Sequence, residues 1–141
     1  DVILLRHKKR LEKALEAITE IRETQLPLLC AYTPHYLRMA HEAQNMALVA
    51  EIHIRTSLER TESRTVLRED YPFLDNENWL KWIYVRQDKD GNMKLDIVPV
   101  PIEKYPLQVE RKRALHHLWQ LAHQKGMVTV EKGEIAWVSA K

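Results

Sequence analysis

The segment that most constrains the fold begins at Thr33-Pro34 and carries an apolar stripe: Tyr36, Met39, Ala40, Ala43, Met46, Ala47, Ala50, Ile54 and Leu58. Steps of three and four residues put these side chains on one helical face. A threonine before the first turn can accept from free backbone N–H groups, and proline suits the first helical position. The pattern predicts a helix from Pro34 to Glu62 or Arg64, about 28 residues and about 42 Å long at 1.5 Å per residue. Its alanines allow another helix to approach closely. Leu37, Leu48 and Ile52 widen the apolar surface, so packing on more than one side is expected. A helix of this length suits the central member of an antiparallel bundle.

A preceding helix is expected over residues 7–24, where Leu11, Ala14, Leu15, Ile18 and Ile21 share a face. Glu12, Glu16, Glu20 and Glu23 lie elsewhere, with Lys8, Lys9 and Lys13 as solvent-side partners. Pro27 prevents normal continuation, and Leu26 to Tyr32 reads as an apolar connector. After the long helix, Tyr71-Pro72 ends any helical run by residue 71. Trp82–Val85 and Lys94–Val98 flank Gln87–Asn92, a β-hairpin pattern around Asp90-Gly91. Pro99, Pro101 and Pro106 restrict the next segment to an extended edge or coil. Residues 108–124 read as a third helix, with Gly126 as its stop. Met127–Val130 and Ile135–Val138 form a second hairpin candidate with Gly133 in its turn. The expected fold is therefore mainly α (α+β). It is an antiparallel three-helix-type bundle with a β-hairpin, in residues 1–107, and a C-terminal helix–hairpin extension packed on it, in residues 108–141.

Several function classes are disfavoured. Only three glycines occur, at positions 91, 126 and 133, so no glycine-rich phosphate cradle can be written. One cysteine forbids an internal disulfide and a cysteine-rich zinc site. Lys plus Arg total 22 against 20 Asp plus Glu, with no basic block, so nucleic acid is not an expected partner. The longest apolar run, Val2-Ile3-Leu4-Leu5, is far too short to span a membrane. His41-Glu42 opens like a zinc-protease helix, but position 45 is asparagine and the second ligand is missing. Asp88–Asn92 resembles part of a calcium loop, yet its glycine is misplaced and its flanks are strands, so a hairpin turn is the reading. His116, His117 and His123 lack a completing carboxylate or cysteine, and Cys30 is expected to be a buried inert thiol.

The informative stretch is Glu62-Ser63-Arg64-Thr65-Val66-Leu67-Arg68-Glu69-Asp70-Tyr71-Pro72, continuing to Trp79-Leu80-Lys81. Alternating charges bracket a proline, and an acidic, amide-rich loop with a tryptophan comes next. Such a loop can face a partner or another domain, or simply be an ion-paired surface.

This stretch resembles the C-terminal helical domain of the succinate dehydrogenase/fumarate reductase flavoprotein family. The residues that carry the resemblance are Asn45-Met46, Leu48 (shifted by one), Ala50, Arg60, Glu62-Ser63-Arg64, Arg68, Asp70, Pro72, Asp75 and Asn78-Trp79-Leu80-Lys81. The hairpin and the proline-rich strand fit the same domain, and the resemblance covers roughly residues 1–107. Many relatives place Gly-Ala-His and one further residue between Ser-Arg and the next Arg. Here Thr65-Val66-Leu67 fills that space, one residue shorter and without the histidine. The adenylylsulfate reductase α-subunit is the nearest alternative parent.

The resemblance implies a packing and interface domain of an FAD-dependent oxidoreductase. FAD would sit in a separate flavin domain, so no cofactor and no catalytic residue are expected in this chain. The isolated chain would be inactive and a fragment or processed piece, with partners in its own flavin domain and an iron–sulfur or other electron-transfer subunit. A cytoplasmic location, peripheral to the inner membrane through those partners, is implied by the same likeness. Glu62, Ser63, Arg64, Arg68, Asp70, Trp79 and Lys81 are the interdomain candidates, with Trp79 as a buried anchor. Homodimerisation of the isolated chain is a further expectation. The competing reading is a stand-alone helical interaction module, with Tyr36, Met39, Met46 and Trp119 as its groove.

Overall fold

A computed structural model describes residues 5–106, 112–114, 126, 128–131 and 134–137 of the chain. A two-residue strand β1 (Leu5–Arg6) leads into helix α1 (Lys8–Glu20). His7 caps α1, its ring nitrogen accepting from the Lys9 N–H at 3.2 Å. The chain widens into a π turn over Ile21–Gln25 and tightens into a 3-10 turn at Leu26–Leu28. Pro27 explains the change, because it cannot donate to a continuing helix. Helix α2 then runs from Pro34 to Glu59, 26 residues, with the Thr33 hydroxyl accepting from the Tyr36 N–H as expected.

After α2 come β2 (Leu67–Arg68), β3 (Phe73–Asp75) and one helical turn, α3 (Asn76–Trp79). Strands β4 (Lys81–Gln87) and β5 (Met93–Pro99) form an antiparallel hairpin that pairs Gln87 with Met93. At its turn the Asp88 carboxylate accepts from the Asp90 and Asn92 N–H groups, and Gly91 takes φ +88°, a value glycine tolerates best. The turn reading thus holds over the calcium-loop likeness. A 3-10 turn occupies Ile102–Lys104. Strand β6 (Lys112–Ala114) pairs antiparallel with β3, and β7 (Val128–Glu131) pairs with β8 (Glu134–Trp137) as the second hairpin. The fold is mainly α with small two-stranded sheets.

Four expectations need correction. Helix α2 stops at Glu59, short of Glu62 or Arg64, because Arg60 turns extended at φ −77°, ψ 111°. The α2 stripe is buried only in its C-terminal half. Ala47 and Ile54 are core, while Tyr36, Leu37, Met39, Met46 and Leu48 are exposed, so α2 is covered along one side rather than several. Lys112–Ala114 is strand rather than helix, and it ties the expected extension back to β3. The rest of the third helix of 108–124, with its histidines and Trp119, lies outside the described residues, apart from Gly126 beyond its end. Cys30 is exposed, because the connector that holds it lies on the surface.

The core is small. Leu11 is fully buried where α1 packs on α2, joined by Ala47, Ile54 and Leu67. Two polar α2 residues are buried beside them. Glu51 takes ion pairs from Arg22 and Arg55, and the Ser57 hydroxyl donates to the His53 carbonyl at 2.6 Å.

Candidate functional site

The polar centre of the chain lies where α2 ends. The last carbonyls of a helix have no partner in the helix itself and present partial negative charge. Here Arg68 supplies the partner. Its Nη1 donates to the Leu58 carbonyl at 3.2 Å, to the Arg60 carbonyl at 2.6 Å, and to the Ser57 carbonyl. Its Nε and Nη2 meet the two Asp70 oxygens, each at 3.0 Å. A planar guanidinium can serve a helix end and a carboxylate together because its five donors point outward from one plane. The Tyr71 ring sits 5.0 Å from the guanidinium carbon.

Glu62 is the second centre. Its side chain is fully excluded from solvent. Its Oε1 accepts from Arg60 Nη1 at 2.6 Å and from Arg64 Nε at 2.7 Å. Its Oε2 accepts from Arg64 Nη2 at 3.1 Å and from the Asp75 N–H at 2.9 Å. Burying a carboxylate is costly unless its lone pairs are filled, and these four donors fill them.

Ser63 links the two centres. Its N–H donates to the Phe73 carbonyl at 2.9 Å, and its hydroxyl donates to the Tyr71 carbonyl at 2.7 Å. The same oxygen accepts from the Arg68 N–H at 2.7 Å. Between these residues the chain makes a tight turn, with the Val66 N–H on the Arg64 carbonyl at 2.7 Å and Thr65 at φ 63°. That left-handed value is costly for a β-branched residue.

The loop after Pro72 is fastened to the Glu62 centre. Arg64 Nη2 donates to Asn76 Oδ1 at 2.7 Å. Arg60 donates to the Trp79 carbonyl at 3.1 Å and the Lys81 carbonyl at 2.9 Å. The guanidinium of Arg60 also lies 5.3 Å from the Trp79 ring centroid, and the indole N–H donates to the Thr61 hydroxyl at 2.6 Å. Strand pairing of β1 with β2 sets Arg6 opposite Arg68 and joins the chain's start to this region. Glu69 extends the tie, its N–H donating to the Arg6 carbonyl at 2.8 Å while its carboxylate pairs with Arg10.

Arg6 in turn meets His53, Nη2 to Nε2 at 2.8 Å. Burial first, and the Arg6 charge second, lower the His53 pKa, so the ring is neutral at pH 7 and accepts at Nε2. Burial first, and the Arg68 charge second, also lower the pKa of Arg6, although it stays protonated.

The sequence candidates therefore converge, but in two groups: Glu62 with Arg64, and Arg68 with Asp70, joined through Ser63. Glu62, Ser63 and Arg68 are buried, and their bonds are to this chain. Arg64, Asp70, Trp79 and Lys81 are half-buried, so Trp79 keeps an open side. Sequence reasoning passed over Arg60, which fastens both Glu62 and the loop, and over Arg6 and His53. Arg60 lies two residues before Glu62 and inside the matched motif, which was a usable signal. Nothing local in the sequence marks Arg6, because its role comes from long-range strand pairing. No group of three or more His, Cys, Asp or Glu side chains suited to a metal occurs among the described residues.

The geometry describes a helical domain whose polar residues mainly organise its own chain. The profile described as fumarate reductase flavoprotein C-term matches residues 1–114, and the chain belongs to that family. The match does not single out the adenylylsulfate reductase alternative. No curated protein and no solved structure matches the chain. No helix among the described residues is long and apolar enough to cross a membrane.

Proposed function

We propose that this chain is the packing and interface domain of an FAD-dependent oxidoreductase of the fumarate reductase/succinate dehydrogenase type. The observation that carries this reading is the exposed apolar surface at the N-terminal end of α2. Leu28, Leu29 and Tyr32 of the connector and Tyr36, Met39 and Met46 of α2 all lie open, next to a helix half that is packed. Water-facing apolar surface of this extent marks a contact face, and family membership supplies the partner. FAD is held by the flavin domain, and the redox chemistry stays there.

In this reading the Arg60–Glu62–Arg64 and Arg68–Asp70 groups hold the loop of residues 71–81 rigid, and the open side of Trp79 meets the flavin domain. An iron–sulfur or other electron-transfer subunit is the second partner, and peripheral association with the inner membrane would come through it. The isolated chain, its contact face bare, would tend to dimerise.

The test is co-expression of the chain with a flavin-binding domain of the family. Purified alone, the chain should be colourless, and it should co-elute with the yellow flavin domain. Met39→Asp combined with Met46→Asp should abolish co-elution without unfolding the chain. Flavin bound to the chain alone, or co-elution unaffected by the double substitution, would rule the reading out.

The exposed Tyr36, Met39 and Met46 also suit the second reading, a stand-alone interaction module. That module would associate with helical partners and ignore the flavin domain.

A further inference from the structure

Arg6, Arg60, Arg64, Arg68 and Lys81 border one cavity of about 550 Å³, set between the end of α2, the turn at residues 64–66 and β4. Glu62 is the carboxylate in that wall, and its four hydrogen bonds are already made. Asp70 stands outside the wall and is taken by Arg68. Among the described residues, these five cations have two carboxylate partners between them, which leaves three positive charges uncompensated. His53 adds no further positive charge, because it is neutral at pH 7 and serves as an acceptor for Arg6.

Donor capacity is also left over. Among the described residues, Arg64 Nη1 and Lys81 Nζ make no hydrogen bond, and Arg6 Nε is buried without a partner. Two of the cations, Arg60 and Arg64, are held in place before any ligand arrives. Glu62 fastens both, the Trp79 and Lys81 carbonyls hold Arg60, and Asn76 Oδ1 holds Arg64, so little side-chain freedom remains to be lost on binding. A concave site with low-dielectric walls focuses the potential of its charges. Guanidinium forks match the oxygen geometry of oxyanions.

We propose that this cavity binds a multivalent oxyanion. The inference rests on the charge and donor count within this chain, and it stands independently of flavin-domain docking.

Inorganic phosphate is the probe, titrated into the 141-residue chain at pH 7 with ionic strength held constant by sodium chloride. Two readouts are followed: the thermal midpoint and the ring proton resonances of His53, which lines the cavity. Phosphate should raise the midpoint saturably and move the His53 resonances with the same apparent Kd. Lys81→Gln should weaken that Kd roughly tenfold, in line with loss of one charge-assisted hydrogen bond. Lys89→Gln, in the exposed hairpin turn, should leave it unchanged. If chloride reproduces the effect, or if both lysine variants respond alike, the cations are only being screened and the proposal fails. Should Lys81→Gln not fold, the wild-type His53 titration decides, and an absent or unsaturable shift overturns the site.

Discussion

Arg68 occupies a position no other side chain could fill as well, because it serves three helix-end carbonyls and one carboxylate from a buried site. Arg68→Ala would leave those carbonyls and Asp70 unpaired. It should destabilise the chain by about 3 kcal/mol or more, measured by urea unfolding. Arg68→Lys keeps the charge but loses the fork, and should fall between the two. Thr65 works in the opposite direction. Its φ of 63° suits glycine, so Thr65→Gly should stabilise by about 0.5–1 kcal/mol and raise the thermal midpoint.

His53 gives a pH dependence. Its folded pKa lies below the unfolded reference of 6.5, so just below pH 6.5 the unfolded chain binds protons more readily. Its contribution is complete above the unfolded value and is lost as pH falls through the folded one. His53→Gln should flatten that acid limb in a plot of stability against pH, and an unchanged limb would refute the assignment. Of these residues, Arg68 was visible in sequence as part of a charge-dense motif. Its capping role was not, because the carbonyls it serves lie 8–11 positions away in a fold that no local pattern specifies.

Helix α2 divides at the level of elements into two halves with different surroundings. Residues 27–39 are exposed throughout, whereas Ala47, Glu51, Ile54 and Ser57 are buried along the helix's second half. Amides of residues 37–46 should therefore exchange with deuterium faster than those of 47–59, since opening a solvated half disrupts less packing. Leu11, fully buried between α1 and α2, should cost about 3 kcal/mol on truncation to alanine.

The elements legible in sequence were those with strong local signals. Thr33-Pro34 marks the start of α2, and Asp90-Gly91 marks the hairpin turn, where Gly91 takes its positive φ. The end of α2 was not legible, because Arg60-Thr61-Glu62 contains no helix breaker and the stop is imposed by Arg68 and the loop bonds. The pairings of β1 with β2 and of β3 with β6 involve two and three residues, too few for any periodicity to show. Burial along α2 was overestimated because apolar periodicity reports a face that will be covered, without saying whether the cover comes from the same fold.

For the whole molecule, that uncovered face carries the functional argument. An apolar stripe that continues past the end of its intramolecular partner suits a domain whose packing is completed by another. The polar knot at the other end of α2 is hydrogen-bonded to Asp75, Asn76, Trp79 and Lys81 of the following loop. Family membership connects these two features to a flavoprotein.

The most direct measurement of that connection is methionine oxidation footprinting. Met39 is 47% and Met46 66% exposed in this chain. Dilute peroxide should oxidise both rapidly in the isolated chain. In the full-length flavoprotein that carries this domain, both should be protected, with rates at least roughly tenfold lower, as expected for side chains desolvated at an interface core. Equal oxidation rates in the two contexts would contradict the account, because the face assigned to the flavin domain would then be open to solvent in the assembled enzyme.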